Sequence, residues 1–149
     1  MSSIARPYVF EPDDIVVSDH LKVLTGDKAI DGLNFKRLIA KAMSPESGYG
    51  WTESEAVEIS ELYRAFLFLC KLYPQEVIVP PREVDEFWHL HILDTRNYAL
   101  DCEAVFGSYL HHFPYSGLEG TAVDEHEEIQ FIERTQALLQ KHFPFLLER

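Results

Sequence analysis

Four histidines, His89, His91, His111 and His112, fall within 24 residues of this chain of 149, and Asp85, Asp94, Asp101, Tyr98, Cys102 and Tyr115 accompany them. Imidazole nitrogen and carboxylate oxygen are the usual protein ligands of zinc and of non-haem iron or manganese. A catalytic site needs about three such ligands and an open position for water. Helical spacing restricts which of these side chains can meet. At about 100° per residue, His89 and His91 diverge by roughly 200°, so one continuous helix does not aim both at a single ion. Asp85 lies one turn before His89, which makes Asp85–His89 the natural pair, as two ligands or as a carboxylate orienting an imidazole. His91 shares the apolar face with Val84, Trp88, Thr95 and Tyr98. His111 and His112 sit on a loop that can fold back to complete the set.

The expected ligands of one transition metal (zinc, iron or manganese) are therefore Asp85, His89 and His111. His91, His112, Asp101, Tyr98 and Trp88 are expected as secondary ligands or supporting groups. A His/Asp set without thiolate fits an exposed, exchangeable site better than a closed structural one. The competing expectation is a protein-interaction or accessory module, in which the same His/Asp/Trp block is a buried hydrogen-bond network that fixes the fold.

The elements that would carry these residues are helical. Residues 1–12 read as an extended arm, followed by a short helix capped by Asp13 or Asp14. Leu33, Phe35, Leu38, Ile39 and Ala42 recur at helical spacing up to Ser44-Pro45. Thr52 and Glu55 make a capping box for a long central helix reaching about Leu72, where Pro74 stops it. Glu76 to Val79 is extended, since Val79 and Pro80 each precede a proline. Pro81 suits the first position of the next helix, which carries Trp88-His89-Leu90-His91 and continues or kinks near Asp94-Thr95 on its way to Phe106 and the breaker Gly107. A His/Pro-rich loop spans His111 to Gly120, and a last helix starts near Asp124 and ends at Pro144. The fold class is all-α: one compact helical bundle of five to six helices over residues 1–149.

Composition excludes several functions. Apolar residues make up 46% and aromatic residues 13%, enough for a core and too much for a disordered chain. With 13 Lys and Arg against 25 Asp and Glu, the net charge of -12 opposes nucleic acid and anionic lipid. It suits a protein partner with a basic surface. The two cysteines, Cys70 and Cys102, form no CxxC, and no apolar run marks a membrane span or leader. Free thiols in a reducing cytoplasm are the expectation. Phosphate-binding loops, dinucleotide fingerprints and GxSxG are missing, and His126-Glu127-Glu128 fails as HExxH because Gln130 stands in the last position.

The run Val84-Asp85-Glu86-Phe87-Trp88-His89-Leu90-His91-Ile92-Leu93, with Tyr98, Asp101-Cys102, Phe106-Gly107 and Leu110-His111, resembles the recurrent block of glycine-rich domain-containing proteins. The likeness covers about residues 84–115 and marks Asp85, Trp88, His89, His91, Tyr98, Asp101, Gly107 and His111. It implies no activity. The nucleic-acid and stress links of plant members lie in long glycine-rich regions, and this chain has seven Gly in all.

Overall fold

The computed structural model describes residues 24–112 and 122–147. The arm over residues 1–12, the helix expected after Asp13 or Asp14 and most of the loop after His112 lie outside them. Among the described residues there are seven helices and no strand, in keeping with an all-α fold. They are α1 (Lys28–Asp31), α2 (Lys36–Met43), α3 (Glu53–Leu72), α4 (Arg82–Leu93), α5 (Thr95–Phe106), α6 (Ala122–His142) and α7 (Pro144–Leu147).

The central helix is α3, with α1, α2, α4 and α6 packed around it. Its start is set locally: Thr52 Oγ1 accepts from the Glu55 N–H and Glu55 Oε1 accepts from the Thr52 N–H. One side of α3 contributes Tyr63 and Phe66 to a core with Phe35, Leu38, Val84, Phe87, Trp88, Tyr98 and Val105. The other side presents Ala65 and Leu69 to Leu138, Leu139, Phe143 and Leu146. Trp51 packs onto the first core from its loop, its ring 4.9 Å from that of Tyr49.

A buried cation ties α1 and the turn after it to this frame. Arg64 donates to the Ile30 and Leu33 carbonyls, each at 2.7 Å, and lies 4.3 Å over the Phe35 ring. Burial pulls its guanidinium down to about 10, and the charges of Asp31 and Glu61 oppose that shift. It stays charged at neutral pH and satisfies carbonyls at the end of α1.

Helix boundaries depart from the sequence reading by a residue or two. Pro81 is the residue before α4 rather than its first residue, with ψ at 157°. The last long helix begins at Ala122, and Pro144 opens α7 rather than ending the chain's helical part. Between α4 and α5 the chain breaks at Asp94 (φ -82°, ψ 64°), whose carboxylate is held by Arg37 Nη2 at 2.9 Å and by Asn97 Nδ2 at 2.9 Å.

Candidate metal centre

Asp85 and His89 occupy successive turns on the outer face of α4, with His89 Nε2 3.4 Å from Asp85 Oδ2. The third group arrives from the segment after α5. Gly107 ends that helix in the left-handed region (φ 72°), which turns the chain back toward α4. The Tyr98 hydroxyl then donates to the Leu110 carbonyl while accepting from the Trp88 indole N–H at 2.9 Å. Burial raises the Tyr98 phenol, so it keeps the proton it donates. With Leu110 fixed, the His112 ring packs 4.3 Å from the Trp88 ring. Its Nε2 lies 2.7 Å from Asp85 Oδ1 and 3.1 Å from His89 Nε2.

These three side chains each offer one ligand atom, all within 4.8 Å of one another, the one such group among the described residues. A ring nitrogen carries either one proton or one lone pair, so His112 Nε2 cannot serve both neighbours fully as a hydrogen-bond partner. A single cation would satisfy all three at once. Metal–ligand bonds of 2.0–2.1 Å at tetrahedral angles put ligand atoms about 3.3 Å apart; the two imidazole nitrogens are 3.1 Å apart, and each approaches a different Asp85 oxygen, His112 at 2.7 Å from Oδ1 and His89 at 3.4 Å from Oδ2. Side-chain exposures of 34% for Asp85, 45% for His89 and 14% for His112 leave the outer side open to water.

The remaining residues singled out in the sequence fall in three places. His111 is exposed, its ring 4.8 Å from that of Tyr109, and stands outside the group that its neighbour His112 joins. Trp88 and Tyr98 hold the His112 segment against α4. His91 and Asp101 lie on the inner side, away from Asp85 and His89. The His91 side chain is 3% exposed, with Nδ1 2.7 Å from the Tyr63 hydroxyl and Nε2 2.8 Å from Asp101 Oδ2. Burial drives the Tyr63 phenol well above its ordinary range. Tyr63 keeps its proton, and the His91 ring bridges the Tyr63 hydroxyl and the Asp101 carboxylate through its two nitrogens.

In the sequence, Tyr63 is one more aromatic residue of the long helix that the Thr52–Glu55 capping box opens. It is 28 residues from His91, and no local signal marks its hydroxyl as a partner. The contact of Arg37 with Asp94 spans 57 positions and is equally silent in sequence.

Fold and site together define a small all-α protein with a carboxylate–imidazole cluster on one helix face. The chain belongs to the UCP032817-like family, whose sequence profile matches residues 26–137. That span includes every residue of the cluster and of the His91 network. No curated protein and no solved structure matches the chain.

Proposed function

We propose that this chain is a metal-binding domain in which Asp85, His89 and His112 hold one transition metal, zinc, iron or manganese. The observation that carries the reading is the convergence of His89 Nε2, His112 Nε2 and the Asp85 carboxylate at metal-ligand spacing on a partly exposed helix face. Three protein ligands leave room for water or a substrate atom, the arrangement of an exchangeable or catalytic site. Trp88 and Tyr98 support it from within, through the Trp88 indole on the Tyr98 hydroxyl and that hydroxyl on the Leu110 carbonyl, while His91 and Asp101 form a separate hydrogen-bonded pair with Tyr63.

Cys70 and Cys102 are free thiols, and no described helix is long and apolar enough to cross a membrane. Two thiols without a disulfide suit a reducing, cytoplasmic setting, which is part of the proposal, as is a single domain over residues 1–149. The likeness of residues 84–115 to glycine-rich domain-containing proteins is part of the same proposal, as is a basic protein partner for a surface of charge -12.

The deciding experiment is elemental analysis of untagged protein purified without chelator, beside His112→Ala and His111→Ala variants. One equivalent of metal is expected in the parent and in His111→Ala, and none in His112→Ala. Metal absent from the parent even after zinc loading and dialysis, or retained by His112→Ala, overturns the assignment.

A further inference from the structure

The open side of the metal centre has a border that its three ligands do not supply. Going round α4 at about 100° per residue, Trp88 and Asp85 lie to one side of His89, and Glu86 and Leu93 to the other. His112 arrives on the first side, against Trp88. On the second side stands Tyr49, whose hydroxyl donates to the Glu86 carbonyl at 2.8 Å.

Tyr49 is held from three directions. Its N–H and that of Trp51 donate to the Ala42 carbonyl near the end of α2, at 3.0 and 3.3 Å. Its ring lies 4.9 Å from the Trp51 ring at an angle of 31°, and Trp51 packs on the first core. Its hydroxyl is fixed on α4. Burial raises the phenol, and the charges of Glu86 and Asp85 act in the same direction, so the Asp85 carboxylate is near enough to be felt at Tyr49. Despite these anchors the residue is 38% exposed. A ring already fixed in place loses little freedom when a ligand packs on it.

Leu93, one turn beyond His89 on the same side, is 76% exposed. The polar groups nearby that could hold a sugar's hydroxyls are engaged: Glu86 pairs with Arg82 at 3.4 Å, and the Tyr49 hydroxyl is on the Glu86 carbonyl. Tyr49 and Leu93 thus make this border apolar. A divalent ion held by one carboxylate and two imidazoles keeps a positive charge, which favours an anionic oxygen in its open position. An apolar border beside such an ion suits a ligand with an aromatic ring and one oxygen-donor group.

We propose that the metal centre takes small aryl ligands that present an anionic oxygen to the ion, and that Tyr49 is the residue that selects the ring. This inference rests on the metal-binding reading above.

The test compares benzohydroxamate with acetohydroxamate, two oxygen donors that differ in the ring, by calorimetric titration of the zinc-loaded full chain. The parent is expected to favour the aryl ligand by about fivefold or more, and Tyr49→Ala to lose most of that preference. Nuclear Overhauser contacts between the phenyl protons and the Tyr49 ring are expected in the parent, and they decide the matter should the variant fail to fold. Four results overturn this inference and leave the metal site standing: zinc bound but neither hydroxamate, no preference in the parent, an equal preference in a folded Tyr49→Ala, or a bound phenyl ring without contact to Tyr49. A parent that retains no zinc overturns both readings.

Discussion

The Tyr98 hydroxyl stands between two groups, accepting from the Trp88 indole and donating to the Leu110 carbonyl. Tyr98 is 1% exposed and Trp88 6%, so water does not easily replace either bond. Tyr98→Phe keeps the ring and removes only the oxygen. It is expected to cost ~1–3 kcal/mol, because the indole N–H stays buried without an acceptor. It is also expected to weaken metal binding about 10- to 100-fold, the usual cost of releasing a ligand from its support, because Leu110 no longer fixes the segment that brings His112 to α4. Urea denaturation reads the first effect and zinc titration the second. Unchanged zinc affinity in a destabilised variant would mean that His112 is positioned by its contact with Trp88 alone. This contact chain also explains which of two adjacent histidines joins the cluster. Helical phase paired Asp85 with His89 from sequence, but the choice between His111 and His112 depends on where Tyr98 pins Leu110, a contact across 12 positions.

At the level of elements, the legible parts are those fixed by neighbours in sequence. The capping box of Thr52 and Glu55 announces α3, and the 3.6-residue period places His91 on the inner face of α4 and His89 on the outer. Gly107 is equally local. Its φ of 72° belongs to the left-handed region, yet an added Cβ would meet nothing within 4 Å. Gly107→Ala therefore carries only the backbone penalty of ~1 kcal/mol, without a clash. Urea denaturation should show that loss and no more, and a loss several times larger would mean that the turn is coupled to the docking of residues 108–112. Less legible were the ends set by tertiary contacts. The break at Asp94 rests on Arg37 from α2, and Val79 docks on α6 through its N–H to Thr135 Oγ1 at 2.9 Å. Neither partner is near in sequence, so the reading there offered a continuing or kinked helix and a featureless extended link.

Across the whole molecule, the acidic groups buried by folding make stability depend on alkaline pH. Burial pushes the Cys70 thiol up to about 12, whereas a thiol in the unfolded chain titrates near 8.5, at about the ordinary value. Above that pH the unfolded chain has released a proton that the folded chain keeps, so it binds fewer protons and stability falls as pH rises. The contribution is fully present below about 8.5 and is lost progressively toward 12, at up to about 1.4 kcal/mol per pH unit. Tyr63 and Tyr98, both raised by burial, add the same sign of dependence above about 10. The window from pH 8.5 to 10 therefore isolates the thiol from the two phenols. Urea denaturation across that window should give a falling unfolding free energy for the parent and a slope shallower by up to one proton for Cys70→Ala. Alanine also alters packing against the first core, which shifts absolute stability at every pH, so the slope is the quantity that decides. Equal slopes would mean that the Cys70 thiol ionises as readily in the folded chain as in the unfolded one, and that water reaches α3 at this position beside the first core.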